Sequence, residues 1–187
     1  MVWGLAANPL ARVEKHPMKA SGDIQVFSPE EVWALVRAAL SEQDGALFLT
    51  AAFTGLRMGE LLALRWRDVD FGGATIRVRA SYAGSALTTP KSGKVRSVPL
   101  APDVATALAQ LGRREHWLGE DDLVFVGETG SYRDGSALRR RYKDTLTRAA
   151  LRPLRFHDLR HLVDRGVMRP AGLFCLLRAV PGVLLSA

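Results

Sequence analysis

Apolar positions recur at helical spacing over much of the chain and alternate with polar ones over one short stretch. Val32, Leu35, Val36, Ala39 and Leu40 share one helix face. Ser28 is the predicted cap of that helix, Pro29 takes its first position, and Glu31 completes a capping box. Trp33 is assigned to the core or its rim. A second helix, from about Ala46, carries Leu47, Phe48, Leu49, Ala51, Ala52 and Phe53 into the break Thr54-Gly55. Gly55 can take the positive φ that stops it. A third, short helix then leaves the break and buries Leu61, Leu62 and Leu64. After Gly72-Gly73, the alternation of Thr75 to Ala80 predicts a strand with one wet face. Val95 to Leu100 predicts another strand, and the turn Thr88 to Lys94 lies between the two. Pro102 to Leu111 predicts a short amphipathic helix, with Val104, Ala105, Leu108 and Leu111 inward. His116 and Trp117 open a loop and are read as structural. Leu123 to Val126 predicts a short buried strand, and a Gly-rich loop leads from it to a helix over Ala137 to Ala150, capped by Ser136 or Asp134.

Composition adds a partner class. The chain has 187 residues, enough for one domain with a proper core, and 26 Lys+Arg against 19 Asp+Glu give a net charge of +7. Most of that excess falls between residues 139 and 160, where Arg139, Arg140, Arg141, Lys143, Arg148, Arg152, Arg155 and Arg160 face only Asp144 and Asp158. A basic stripe of this kind is a nucleic-acid footprint; the competing reading is a solvated helix face. The single cysteine, Cys175, excludes an internal disulfide and a four-cysteine zinc site. The first residues, Met1-Val2-Trp3-Gly4-Leu5, are neither basic nor long enough in their apolar run for a signal peptide. No uninterrupted apolar run reaches the roughly 18 residues of a membrane span, so a cytoplasmic protein is expected. Residues 1–22 carry the turn signals Asn8-Pro9, His16-Pro17 and Ser21-Gly22 and are read as a linker.

Arg57 holds the most informative position. It follows the Gly55 break and opens the third helix, beside unpaired backbone N–H groups. An arginine there would aim at an anion, with phosphate the obvious choice. The stretch alone also fits a surface arginine on an ordinary helix corner. Lys91 and Lys94 sit in the turn between the two strands. A lysine at a hairpin tip can swing into a groove and meet a phosphate, or it can simply be solvated.

The run Thr54-Gly55-Leu56-Arg57-Met58-Gly59-Glu60-Leu61, continuing to Leu64 and Trp66, resembles the first catalytic box of the tyrosine recombinase (phage integrase) family. Thr88, Pro90, Lys91, Ser92, Arg96 and Val98-Pro99-Leu100 match that family's β-hairpin, and His157-Asp158-Leu159-Arg160 resembles its second box. The similarity covers roughly Ser21 to His161. It implies a mainly helical α+β catalytic domain with a small antiparallel sheet or hairpin, over residues 23–161. It also implies double-stranded DNA as partner and no metal, ATP or other cofactor. The implied catalytic groups are Arg57, Lys91 (with Lys94 as fallback), His157 and Arg160. Glu60, one turn beyond Arg57, has a supporting role by orienting it. Arginine suits the bidentate grip on the non-bridging oxygens of a scissile phosphate, and histidine suits proton transfer near neutral pH. Arginine clamps on phosphoryl groups contribute about 10³–10⁵-fold in rate. Arg139, Arg140, Arg141 and Lys143 are implied DNA-backbone contacts, which give affinity without base information. His161 is assigned a packing or hydrogen-bonding role. Its i, i+4 spacing from His157 could hold a metal, but the Glu of a His-Glu-x-x-His site is missing.

The resemblance stops after His161. The family places a Leu-Gly-His box and then a nucleophilic tyrosine further on, whereas the tyrosines here, Tyr82, Tyr132 and Tyr142, all precede the second box. Residues 162–187 form a non-matching tail, as a shifted reading frame would produce, and residues 1–22 look like the edge of a missing DNA-clamping domain. The expectation is a chain that binds DNA and positions a phosphate but has no nucleophile of its own. The alternatives are a DNA-binding or interfering module without catalysis, and an enzyme completed by the tyrosine of a full-length recombinase protomer.

Overall fold

The computed structural model describes residues 25–89 and 95–164. The expected linker at 1–22, the turn lysines Lys91 and Lys94, and the tail from residue 165 onward lie outside the described residues.

Helix α1 (Pro29–Arg37) has the predicted capping box: Ser28 Oγ accepts the Glu31 N–H at 3.3 Å and the Glu31 carboxylate accepts the Ser28 N–H at 2.7 Å. Helix α2 (Glu42–Thr54) starts earlier than the apolar run suggests, because Ser41 Oγ caps it by accepting the Asp44 N–H. It is buried from Asp44 through Thr54, so it is the central rod of the domain. Its end follows the expected route: Gly55 has φ 64° and its N–H reaches the Ala51 carbonyl. Helix α3 (Met58–Leu62) turns away at once, and a 3-10 turn (Trp66–Asp68) leads into the strands.

Strands β1 (Val69–Asp70), β2 (Thr75–Val78) and β5 (Arg96–Pro99) form an antiparallel sheet in the order β1-β2-β5, with Ile76 facing Val69 on one side and Val98 on the other. The expected pairing of the two predicted strands is therefore present, each two residues shorter than the run that predicts it. Strands β3 (Ser81–Ala83) and β4 (Ala86–Thr88) form a separate hairpin that the hydrophobic pattern does not predict. Helix α4 (Pro102–Leu111) has the predicted bounds. Leu123 to Val126 does not form the expected strand. Isolated bridges, Arg65 to Leu123 and Val126 to Tyr132, and the side chains of Gln43 and Arg114 tie it down instead. The run is apolar because Leu123, Val124 and Phe125 pack into the core, while the Val124 N–H is satisfied by the Leu64 carbonyl.

Helix α5 (Gly135–Arg148) is capped by Asp134, whose carboxylate accepts the N–H groups of Ser136 and Ala137. Leu138, Tyr142 and Leu146 fall on its buried face. A second 3-10 turn (Phe156–Arg160) and the short α6 (His161–Asp164) close the described chain. Phe48 of α2 meets Tyr142 and Phe156 edge to face, with ring centroids 5.3 and 6.2 Å away, and Leu162 joins the same core. These contacts pack the 3-10 turn, and Tyr142 of α5 with it, against the middle of α2, the helix that delivers Arg57. The domain is mainly helical α+β with small antiparallel sheets. Among the described residues no helix is long and apolar enough to cross a membrane.

Candidate functional site

Two corners of the fold meet at one small pocket, and each is built by the same local device. At the first, Arg57 is the N-cap of α3 in extended conformation, and its N–H donates to the carboxylate of Glu60 at 2.8 Å. At the second, Arg155 precedes the 3-10 turn, and its N–H donates to the carboxylate of Asp158 at 2.9 Å. In each case a carboxylate three residues on satisfies a backbone donor that would otherwise be orphaned at the helix start. The corner is thereby fixed, and in each case the arginine guanidinium reaches the same carboxylate, at 3.3 Å from Arg57 Nη1 and 3.0 Å from Arg155 Nη2.

The pocket between the corners has a volume of about 140 Å³ and is lined by Leu56, Arg57, Met58, Arg139, Phe156, His157 and Arg160. Three arginines and a histidine line it together with apolar residues, and no Asp or Glu does. That composition favours a small anion. The Arg57 side chain is 38% exposed, so it is held yet reachable. A larger cavity of about 690 Å³, lined by Trp66, Phe71, Arg77, Leu118 and others, contains none of the expected site residues.

His157 and Arg160 lie three apart in the 3-10 turn, where such residues stack over one another, so the expected shared face is present. Burial, then the positive charges of Arg160 and His161, hold the His157 imidazole below its usual range. It is mainly neutral at neutral pH and available to accept a proton. The rings of His157 and His161 meet edge-on, with centroids 5.7 Å apart. Among the described residues no group of three or more His, Cys, Asp or Glu could hold a metal ion.

Glu60 is 2% exposed and accepts more than Arg57 offers. Arg57 Nη1 reaches Oε1 at 3.3 Å, and Arg96 grips both oxygens, Nη1 to Oε1 and Nη2 to Oε2, each at 2.8 Å. Burial alone would raise the Glu60 pKa, but the Arg96 fork and the Arg57 N–H outweigh it and hold the carboxyl below its ordinary value. In the sequence Arg96 stands inside the hairpin motif with no task of its own. A signal was there: Arg96 shares its strand face with Val98, and an inward-facing charge needs a partner.

The arginine run on α5 splits by direction. Arg139 lines the pocket. Arg139 and Lys143, a turn apart, both line an apolar groove of about 410 Å³ that also includes Phe156 and His157. Arg140 is exposed and lines neither cavity. Arg141 turns the other way: its guanidinium joins that of Arg133 on the buried carboxylate of Asp44.

None of the tyrosines lines the small pocket. Tyr82 and Tyr132 stack on each other, centroids 4.1 Å apart and 9° from parallel, in a groove that shares Arg57, Met58 and Arg139 with it. Tyr132 Oη also accepts from Arg65 at 3.2 Å. Tyr142 is 3% exposed, and burial, then the charge of Asp158, pushes its phenol well up.

Residues 25–167 match the model of the phage integrase family. The chain is 31% identical over 179 residues to a tyrosine recombinase XerC-like protein of Caldanaerobacter subterraneus, which covers 80% of this chain and 46% of that protein. It is 30% identical to tyrosine recombinase XerC of Xanthomonas axonopodis, covering 90% of this chain and 53% of the relative. The chain thus spans about half the length of these curated relatives. Among solved structures, that of XerA recombinase superposes with a TM-score of 0.65 at 28% identity, covering 84% of this chain and 54% of that one. The Tn1549 transposon integrase, solved in complex with circular intermediate DNA, shares the fold with a TM-score of 0.60 at 19% identity, covering 81% of this chain and 58% of that one. Family model, relatives and fold agree with the motifs that frame the pocket, and the chain belongs to the phage integrase family, as a tyrosine recombinase catalytic domain.

Proposed function

We propose that the chain binds duplex DNA and holds one backbone phosphate in the pocket between Arg57 and Arg160, as part of site-specific recombination. The observation that carries this reading is the convergence of Arg57, Arg139, His157 and Arg160 on one small pocket without a carboxylate. Arg57 and Arg160 grip the non-bridging oxygens, which carry the developing charge of the transition state. Neutral His157 accepts the proton of an attacking tyrosine hydroxyl as its oxygen bonds to phosphorus. The bond from phosphorus to the 5′-oxygen breaks, and Lys91 supplies that oxygen's proton. Glu60 supports Arg57, and His161 packs beside His157. Arg139, Arg140 and Lys143, with Lys94, are backbone contacts.

No tyrosine of residues 1–187 lines the pocket. Tyr82 and Tyr132 stack on each other in the neighbouring groove, and Tyr142 is buried. In this reading a neighbouring recombinase protomer supplies the nucleophilic tyrosine. The test mixes this chain with a tyrosine-bearing partner that lacks its own box arginines, on a nicked duplex carrying the partner's target site. Covalent partner–DNA product that disappears with Arg57→Ala or Arg160→Ala in this chain supports the reading; absence of product with the wild-type chain sinks it.

A second reading, DNA binding without catalysis, draws on Arg140 and Lys143, which are exposed on α5. It expects Arg57→Ala and Arg160→Ala to weaken duplex binding no more than Arg140→Ala does.

A further inference from the structure

We infer that Arg96 is a positioning residue: through Glu60 it fixes the guanidinium of Arg57 in the pocket and ties β5 to the phosphate site. The inference rests on the proposed function, because it concerns the same pocket.

A carboxylate buried as deeply as that of Glu60 needs hydrogen bonds on both oxygens. Arg96 supplies one to each at 2.8 Å. The Arg57 N–H adds a third, also at 2.8 Å, and the Arg57 guanidinium a longer fourth at 3.3 Å. That last contact is the one that aims the Arg57 side chain. Alone, an i, i+3 pair with a 38% exposed arginine would be loose and well screened. It becomes directional only if the carboxylate cannot rotate. The planar fork of Arg96 blocks that rotation, which a single ammonium could not do.

Arg96 lines neither the pocket nor the groove beside it, so it acts through Glu60 and does not touch the bound phosphate. It also opens β5, which begins two residues after Lys94 in the sequence. One guanidinium therefore anchors that strand to the corner that presents Arg57.

The experiment uses the full chain and titrates inorganic phosphate while following the Arg57 side-chain N–H signal by NMR. Wild type, Arg57→Ala, Arg96→Met and Arg96→Lys are compared, with binding in Arg57→Ala read from the Arg160 signal. Arg96→Met is expected to weaken phosphate binding about tenfold, the scale of one charged hydrogen bond. Arg96→Lys keeps the charge but not the fork and is expected to stay weaker than wild type. In both variants the Arg57 signal broadens before any phosphate is added, a change that reduced stability alone would not produce. Should Arg96→Met fail to fold, Arg96→Lys carries the decision. Unchanged binding in Arg57→Ala would overturn the phosphate pocket itself. Weakened binding in Arg57→Ala, together with wild-type binding and a sharp Arg57 signal in Arg96→Lys, would overturn the positioning role alone.

Discussion

Asp44 on α2 and Arg133, in the loop before α5, are joined by a 2.6 Å contact that is almost fully shielded from water, the carboxylate 1% and the guanidinium 7% exposed. Arg141 closes on the second oxygen at 2.8 Å. Both arginines depend on one carboxylate, so Asp44→Ala leaves Arg133 as an uncompensated buried charge. We expect a destabilisation of about 3–5 kcal/mol. For a chain of this length that is a fall of roughly 6–20 °C in melting temperature, to be read by calorimetry. Arg141→Ala leaves the Arg133 pair intact and should cost far less. Equal effects of the two substitutions would refute the assignment of Arg133 as the principal partner.

That cluster also marks where the sequence stops being legible. The first box corner can be read because it is local: a glycine break, an arginine at a helix start and a carboxylate three residues later are all visible in order. The cap of α1 and the bounds of α4 can be read for the same reason. Arg141 groups with its neighbours as a DNA contact in the sequence, because nothing in the run announces a partner some hundred residues earlier. The β3–β4 hairpin escapes because its strands are three residues each, mostly exposed, and so carry little alternation. Its turn is Gly84-Ser85, both with positive φ, a less obvious signal than Asn-Gly. At Leu123 to Val126 an apolar run has the look of a strand, although its burial comes from packing and not from a ladder.

Gly59, inside the first box, has a physical reason to be glycine. A Cβ there would lie 2.6 Å from Ser81 Oγ and 2.8 Å from the Tyr82 carbonyl oxygen. The serine hydroxyl can move, but the carbonyl belongs to β3 and cannot without shifting the hairpin. Gly59→Ala should therefore cost about 1–3 kcal/mol as overpacking. It should also disturb the Tyr82–Tyr132 stack, seen as altered tyrosine signals in the near-UV. Wild-type melting and spectra would show that α3 and β3 are not in close contact.

His157 gives a pH prediction. Its pKa is lowered in the folded chain, by burial first and then by Arg160 and His161. The unfolded chain therefore takes up the proton first as pH falls. The contribution of this group is intact above its ordinary value of 6.5, declines as pH drops below it, and levels off once the folded imidazole also protonates. An NMR titration should place its midpoint below 6.5, and Arg160→Gln should move it back upward. A midpoint at or above 6.5 in the wild type would contradict the crowding of positive charge at the pocket.

The split of the basic run predicts unequal effects on DNA. Arg139 lines the pocket and Arg140 and Lys143 are exposed, whereas Arg141 is engaged with Asp44. Removing one cation that neutralises a phosphate should flatten the dependence of log affinity on log salt by about 0.9. The wild-type slope should be about −5 if some six phosphates are neutralised. Arg140→Ala and Lys143→Ala should each flatten the slope by roughly that single increment and weaken binding alike on unrelated duplexes, since backbone contacts carry no base information. Arg141→Ala should leave the slope where it was, because a guanidinium already bound to a carboxylate releases no counterion from DNA. A slope that flattens as much for Arg141→Ala as for Arg140→Ala would mean that Arg141 leaves Asp44 to meet the phosphate backbone. Asp44 would then be a competitor for DNA and not only a support for the fold.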